Sequence, residues 1–403
     1  MSAGRDAVAH LRTPEAIRER AGAVLARGLE DGLTHFRIDL SRLAAAADLV
    51  AAVTREHHPD LRVPPHSRWR HFAPRHLAEL ERALAGRPPD ERARVRIDLA
   101  VTSVLLDAGA GPGWRYVEPV TGVESRRSEG LAVASFRLFA EGAFSAEPGA
   151  PWRTDAAALE RLDDDRLARG LQVSATNPLT GLAGRAALLR RLGGALAEHA
   201  DLFGKPESRP GHLLDALRAS FGDRVEAAEV LRRVLEGFGS IWSGRLALAG
   251  VNLGDVWRHP AAGGTGPGAG LVPLHKLSQW LTYSLLEPLA EGGLRVEGID
   301  RLTGLAEYRN GGLFIDTGVL VPRHEAVVRE VHRPGDEVVV EWRALTVALL
   351  DRLAPLVRAR LGAADLSLAS ILEGGTWTAG RRLADERRGG ASPIRVDSDG
   401  TVM

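Results

Sequence analysis

The stretch Thr13-Pro14-Glu15 carries three successive signals for the start of an α-helix. A threonine can cap the first turn, a proline suits the first helical position, and an acid there complements the positive end of the helix. Ile17, Ala21, Val24 and Leu25 follow at helical spacing and fall on one face. The segment therefore predicts an amphipathic helix, and the rest of the chain repeats this pattern.

Helical periodicity dominates the remaining sequence. A second helix is expected after Ser41. Further helices are expected near residues 75–86, 91–107, 129–141, 183–200, 211–220, 225–236, 274–291, 342–361 and 376–387. Alternating patterns are rarer and predict short strands at 337–342 and 393–396 and a hairpin over 312–321. We expect a mainly α, large multi-helix fold with small β additions, and no Rossmann sheet or barrel.

The composition is that of a globular chain without charge bias. The 403 residues contain 52 Lys plus Arg and 52 Asp plus Glu, so no general field attracts nucleic acid or an anionic membrane. The absence of cysteine excludes disulfides and thiolate chemistry. The sequence shows neither a signal peptide nor a run of about 18 apolar residues, and we therefore expect a cytoplasmic location.

The domain prediction is one family domain over residues 1–403. Two closely packed lobes, residues 1–142 and 155–403, are a further expectation, because residues 142–154 are rich in proline and small side chains. Residues 260–270 are also rich in glycine and proline, which indicates a flexible loop or a lid.

Three local motifs are incomplete. The glycine-rich residues 260–270 lack the Gly-Lys-Ser/Thr ending of a nucleotide P-loop. Residues 313–318 imitate the aspartic-protease motif, but the chain has one copy where those enzymes need two. The pair His57-His58 is adjacent, and His66 and His71 are five apart, so neither has the spacing of a helical metal site. We expect no required metal and no cofactor.

Four stretches are too dense in polar, charged and aromatic residues for an ordinary surface: residues 65–72, 107–116, 273–284 and 302–312. Arginine and aromatic side chains suit stacking and anion recognition. The last stretch combines a carboxylate, a phenol, a guanidinium and an amide, which favours an active-site wall. The alternative is a buried Glu–Arg pair that fixes the loop. Asp316, which follows, is either functional or part of a turn.

These stretches resemble a known family, the uracil-catabolism proteins of fungi and bacteria, long filed as a domain of unknown function. The resemblance extends from Arg12-Thr13-Pro14 to Asp397-Ser398-Asp399-Gly400. Its most specific parts are residues 66–72, 106–111, 128–132, 274–280 and 307–318. Membership implies a role in a uracil-degrading route that passes through a ribosylated, ring-opened pyrimidine and liberates urea.

A second, weaker likeness is to the queuosine-salvage N-glycosylases. Leu305-Ala306-Glu307-Tyr308-Arg309 is similar to their Ala-Asp-Tyr-Arg motif, and Asn310-Gly311-Gly312 stands where they have Val-Pro-Gln. Those proteins are helical, resemble DNA glycosylases in fold and cleave an N-ribosyl bond, so the likeness implies a related fold and reaction. The glutamate in place of aspartate would have to approach the sugar from farther back.

These resemblances lead to one hypothesis with two alternatives. The chain is expected to be an N-ribosyl hydrolase that releases urea from ribosylurea or its 5-phosphate, with Glu307 and Asp316 as catalytic carboxylates beside an oxocarbenium-like sugar. The expected substrate-binding residues are His66, Arg68, Arg70, Trp114, Arg115, His275, Lys276, Gln279, Tyr308, Arg309 and Asn310. The alternatives are a non-catalytic protein that hands over the ring-opened compound, and a lyase or amidohydrolase that acts on it. The expected partner is the small-molecule ribosylated ureido substrate, with no nucleic acid and no membrane; the sequence leaves the oligomeric state open.

Overall fold

The computed structural model describes residues 2–111 and 113–397. Residues 398–400, at the end of the family resemblance, and Pro112, within the polar stretch 107–116, lie outside the described residues. The chain forms two compact units. Unit 1 contains residues up to 66 together with 245–279 and 298–397, and unit 2 contains 67–244 and 280–297. Each unit combines separate stretches of chain, and residues 142–154 lie inside unit 2.

Helices make up most of the described chain. They are α1 Ser2–Leu11, α2 Pro14–Leu29, α3 Leu43–His57, α4 Pro74–Ala83, α5 Pro89–Leu105, α6 Arg127–Ala140, α7 Ala156–Glu160, α8 Asp164–Gly170, α9 Leu182–Glu198, α10 Ala200–Phe203, α11 Leu213–Phe221, α12 Ala227–Gly237, α13 Lys276–Glu291, α14 Tyr308–Asp316, α15 Ala326–Arg329, α16 Glu337–Leu361, α17 Leu368–Ile371 and α18 Trp377–Arg388. A π-helical turn, Leu372–Thr376, joins the last two. No described helix has the length and apolar character needed to span a membrane.

The strands are short and pair two by two. They are β1 Phe36–Ile38, β2 Arg115–Val117, β3 Glu124–Arg126, β4 Arg224–Glu226, β5 Ala247–Leu248, β6 Val251–Asn252, β7 Val256–Arg258, β8 Leu271–Pro273, β9 Arg295–Glu297, β10 Leu320–Pro322, β11 Val331–His332 and β12 Arg395–Val396. The antiparallel pairs are β1–β10, β2–β3, β5–β6 and β7–β8, and the parallel pairs are β4–β9 and β11–β12. The predicted mainly α fold with small β additions is confirmed.

The helix predicted from the first signals is present as α2. The Thr13 hydroxyl accepts the backbone N–H of Ala16 at 3.1 Å, which satisfies one of the free donors at the helix start. The predicted apolar face, which includes Ile17 and Val24, is buried. Each of the other predicted helices is also found, with ends that differ by a few residues.

Two of the predicted β elements are wrong. Residues 337–342 begin α16, where burial of Val338, Val339 and Val340 decides the conformation in spite of their β-branched side chains. The hairpin predicted over 312–321 is absent: the residues up to Asp316 belong to α14, and Leu320–Pro322 pairs with the distant β1. The strand predicted at 393–396 is confirmed for Arg395–Val396, which pairs with β11.

Glycines let the helices of unit 1 pack closely around α14. A Cβ on Gly311 would lie 2.6 Å from the indole of Trp342 on α16, closer than side chains tolerate. A Cβ on Gly380 of α18 would overlap the backbone carbonyl of Arg309. The first turn of α14 is therefore enclosed by two helices, and its polar side chains are buried.

Unit 2 holds the segment 142–154 through buried polar contacts. Asp98 of α5 is fully buried and accepts the backbone N–H groups of Thr154 at 3.1 Å and of Gly211 at 2.7 Å. Arg209 pairs with the same carboxylate at 2.7 Å. Asp98 thus holds Thr154, the last residue of this segment, against the core of unit 2 through a hydrogen bond.

Candidate functional site

Glu307 caps the N-terminus of α14 with its own side chain. One carboxylate oxygen accepts the backbone N–H of Arg309 at 2.8 Å, and the other accepts that of Asn310 at 2.5 Å. The residue is 6% exposed. The positive end of the helix favours this negative charge, and each oxygen keeps a further lone pair for another donor. The carboxylate is therefore fixed in place by the helix that it caps.

Glu307 also differs from most buried acids of this chain in its charge environment. The described residues contain seven buried acids, and five of them form ion pairs with arginine: Asp98, Asp107, Glu118, Asp155 and Asp316. Within the described chain, neither Glu307 nor Glu341 has an arginine or lysine at ion-pair distance, and Glu341 instead lies 3.3 Å from the imidazole of His259. Burying a carboxylate without a cation is costly. These two positions are therefore candidates for contact with a positive charge from outside the protein.

Five buried polar atoms without a hydrogen-bond partner in the described protein belong to the first turn of α14 or to other segments of unit 1. They are Gln279 Oε1, Arg309 Nη1, Asn310 Oδ1, Trp342 Nε1 and Thr376 Oγ1. Each of these residues is at most 3% exposed. Arg309 and Asn310 lie in the first turn of α14, and Trp342 packs against Gly311 of the same helix. The Gln279 side chain donates to Thr303, in the segment that leads to Glu307, and Thr376 ends the π-helical turn. Because buried polar groups are normally paired, a ligand with donors and acceptors suits this region.

Asp255, which the sequence patterns did not single out, holds the start of α13. Its carboxylate forms two 2.8 Å hydrogen bonds with Arg343 and accepts the backbone N–H of Lys276 at 3.0 Å. Burial by itself raises the pKa of Asp255, but the charge and hydrogen bonds of Arg343 outweigh it and keep that pKa well below its usual value. The position of Lys276 is thus set by a buried ion pair.

His275 has a strained backbone next to this lysine. Its φ of 45° lies in the left-handed region, which non-glycine residues seldom adopt and which is often found at functional sites. Its Nε2 is 2.9 Å from the carbonyl oxygen of Leu11, and burial lowers the pKa of the imidazole. A neutral imidazole donates this hydrogen bond, so one ring nitrogen of His275 is already used inside the protein.

Aromatic contacts connect His66 to the first turn of α14. The rings of His66 and Trp377 are 5.9 Å apart, and the Arg309 guanidinium lies 5.6 Å from the Trp377 ring and 4.9 Å from that of Tyr308. His66 Nδ1 is 2.6 Å from a carboxylate oxygen of Glu373, inside the π-helical turn. Such π-helical turns occur frequently at functional sites. The structure therefore brings His66, Tyr308, Arg309 and Asn310 into the same part of unit 1 as Glu307.

Asp316 lies at the opposite end of α14 from Glu307. A nine-residue helix rises about 13 Å along its axis, whereas the two carboxyl groups of a glycosidase lie about 5–10 Å apart. Asp316 instead forms two hydrogen bonds with Arg388, at 2.7 and 2.6 Å. Asp316 therefore forms an ion pair that anchors α18, and Glu307 is the carboxylate of this helix without an arginine or lysine partner.

Four predicted substrate-binding residues belong to unit 2. Arg68 is fully buried, pairs with Asp107 at 2.7 Å and lies 5.5 Å from the ring of Trp280. Arg70 pairs with Glu287. Trp114 is a core residue that donates its indole N–H to the Leu171 carbonyl at 2.9 Å, and Arg115 is an exposed residue of β2. Their contact with a ligand stays a prediction.

The fold and this site define a mainly helical protein with a buried, helix-capping glutamate among unpaired polar groups. The chain belongs to the family described as "Protein of unknown function (DUF1688)", which matches residues 10–403. It is 39% identical over 406 residues to uracil catabolism protein 4 of Lachancea kluyveri, covering 92% of each chain. It is 38% identical over 416 residues to protein urg3 of Schizosaccharomyces pombe, covering 99% of each. The predicted family membership is confirmed, and the likeness to queuosine-salvage enzymes stays a prediction.

Proposed function

We propose that this protein is an N-ribosyl hydrolase of uracil catabolism that releases urea from ribosylurea or from its 5-phosphate. A relative named as a uracil catabolism protein supports the pathway. The observation that carries the reaction is the buried Glu307 carboxylate, which has no arginine or lysine partner among the described residues and caps a turn whose Arg309 and Asn310 carry buried polar atoms without partners.

A carboxylate of this kind suits the cleavage of a bond between C1 of ribose and nitrogen. As the bond breaks, the sugar becomes oxocarbenium-like and gains positive charge. A fixed, buried carboxylate stabilises that charge more than it stabilises the neutral substrate, and this difference lowers the barrier. Water adds to C1 and gives up a proton, the leaving nitrogen gains one, and the products are ribose and urea. Glu307 either stabilises the cation or accepts the proton of the water.

The unpaired atoms match the chemistry of ribosylurea. Its ureido group offers N–H donors and a carbonyl acceptor, and its hydroxyl groups can do both. Gln279 Oε1 and Asn310 Oδ1 can accept hydrogen bonds, and Arg309 Nη1 and Trp342 Nε1 can donate them. Lys276 lies one helical turn before Gln279 on α13, where its ammonium suits a sugar hydroxyl or a phosphate.

A binding protein without catalysis is the second candidate. Both oxygens of Glu307 already accept backbone N–H groups, and Asp316 at the far end of α14 is not placed as a partner acid. A site with one carboxylate could hold the ring-opened compound and hand it over, through the same contacts.

Incubation of the purified protein with ribosylurea, and separately with its 5-phosphate, tests both functions. Hydrolysis predicts urea and free sugar in equal amounts, at a rate far above that without protein. Tight binding without urea would favour the hand-over protein and refute the hydrolase. A product of different mass would indicate a lyase or amidohydrolase step, and the absence of both binding and turnover would refute all three.

A further inference from the structure

A second group of polar side chains converges in unit 1, outside the residues invoked for hydrolysis. His35 directly precedes β1, and Glu337 and Glu341 stand one turn apart at the start of α16. One ligand atom from each of these three residues lies within 4.8 Å of the other two. His35 Nε2 is 3.8 Å from the nearer carboxylate oxygen of Glu337. Three side chains thus face one point.

No arginine or lysine of the described chain pairs with the two glutamates at this point, although Oε1 of Glu341 accepts the backbone N–H groups of His35 at 3.1 Å and of Phe36 at 2.9 Å. Glu341 is fully buried, and Glu337 lies four positions earlier on the same helix, where a like charge is destabilising. The only ion-pair partners of these carboxylates in the described chain are imidazoles. In contrast to the arginine-paired acids of this protein, the two glutamates would be stabilised by an added cation.

Hydrogen bonds orient the groups as they do around bound metal ions. His35 Nδ1 is 3.1 Å from Nε2 of His324, so His35 can donate there and direct its Nε2 lone pair toward the carboxylates. His259 Nδ1 accepts the backbone N–H of Ala261 at 3.1 Å, so a neutral ring carries its proton on Nε2, which lies 3.3 Å from Glu341. Partners of this kind fix the ring of a ligating histidine and the carboxylate beside it.

We propose that His35, Glu337 and Glu341 bind one divalent transition-metal ion, with Zn²⁺ as the reference ion. A nitrogen and two carboxylate oxygens are zinc ligands, and the imidazole favours zinc over Mg²⁺. Ligand atoms on one zinc ion lie about 3–4 Å apart, so a small rotation of the 40% exposed Glu337 side chain completes the site. The ion joins the segment before β1 to α16. This proposal is independent of the proposed hydrolase activity.

Zinc uptake by the full chain tests the site after dialysis against EDTA. Competition with a chromophoric chelator should show about one Zn²⁺ per chain, bound more tightly than Mg²⁺. Glu337→Gln should lower the affinity at least about 10-fold, and the double variant His35→Ala/Glu337→Gln should abolish it. His324→Ala removes only the group that orients His35 and should weaken binding about 10- to 100-fold.

The matched control is His10→Ala, which removes an imidazole paired with a carboxylate at 2.9 Å on the exposed part of the chain. It should bind zinc as the wild type does. The Glu337 side chain is 40% exposed, so metal-free Glu337→Gln should unfold at the same guanidinium concentration as the metal-free wild type. A loss of zinc affinity in this variant then reflects the loss of a ligand and not the loss of the fold. Zinc binding that is unchanged in the double variant, or equally weakened by His10→Ala, would overturn the site. So would a wild-type protein that takes up no zinc.

Discussion

Replacing Glu307 by glutamine removes the negative charge and keeps the shape of the side chain. The amide keeps one oxygen for a backbone N–H, but its NH₂ group faces the second backbone donor, so one of two cap bonds is lost. Losing an N-cap costs about 1 kcal/mol of folding free energy. Losing the charge beside an oxocarbenium-like sugar should lower turnover about 10²–10⁴-fold, or about 3–5 kcal/mol in the activation barrier.

Asp155→Asn is the matched control for this change. Asp155 is also buried and caps a helix, accepting backbone N–H groups of Ala146 at 2.8 Å and Ala158 at 3.0 Å. Guanidinium denaturation should show a loss of stability in both variants, larger in Asp155→Asn because that carboxylate also pairs with Arg153 at 3.5 Å, whereas urea release should fall in Glu307→Gln alone. A folded Glu307→Gln protein with wild-type kcat would refute a catalytic role for the Glu307 carboxylate, and so would an equal loss of turnover in Asp155→Asn.

Three further changes test the packing and charges described above. Asp316→Asn should lower the free energy of unfolding by about 2 kcal/mol in guanidinium denaturation. This is less than the loss expected on breaking a fully buried ion pair, because the Arg388 side chain is 26% exposed. Unchanged stability would contradict a stabilising ion pair between Asp316 and Arg388. Gly311→Ala should lower the free energy of unfolding by about 1–2 kcal/mol in the same assay, because the added Cβ would lie 2.6 Å from the Trp342 indole. A variant more stable than the wild type would contradict the tight packing of α14 against α16. Burial raises the pKa of Glu118, but side-chain hydrogen bonds outweigh this and lower it to about 2. Because the pKa of Glu118 is lower in the folded protein than the value near 4.5 in the unfolded chain, its carboxylate stabilises the fold above pH 4.5, and this stabilisation is lost as the pH falls towards 2. The free energy of unfolding should therefore fall less between pH 4.5 and 2 in Glu118→Gln than in the wild type. Parallel pH curves for the two proteins would contradict this.

The helices could be predicted because their signals are local. Caps, first-turn acids and apolar spacing all lie within one segment, as in the start of α2 at Thr13. The strand predicted at 337–342 was wrong because three adjacent valines are buried on successive faces of α16. The predicted hairpin was wrong because β10 pairs with β1, whose residues are far away in the sequence.

The candidate site could be predicted in part, because some of its residues also give a local signal. The residues around Glu307 stand out because their polar types are adjacent, and the structure places them in one buried region. Asp255 gave no local signal, since its partner Arg343 lies 88 residues away in the sequence. The polar cluster Glu341-Trp342-Arg343 predicted a polar interior, but the contact of Glu341 with the backbone N–H of His35 spans 306 residues and could not be predicted. Functional groups assembled from such distant segments become visible only in the folded chain.

The most direct test of the central claim is a crystal structure of the Glu307→Gln variant with ribosylurea bound. If Glu307 acts on the glycosidic bond, C1 of the sugar lies within about 3.5 Å of the side chain at position 307, as reacting groups do. The ureido group is then hydrogen-bonded to Gln279 or Asn310. A ligand held elsewhere, with its C1 out of contact with position 307, would contradict a catalytic role for Glu307.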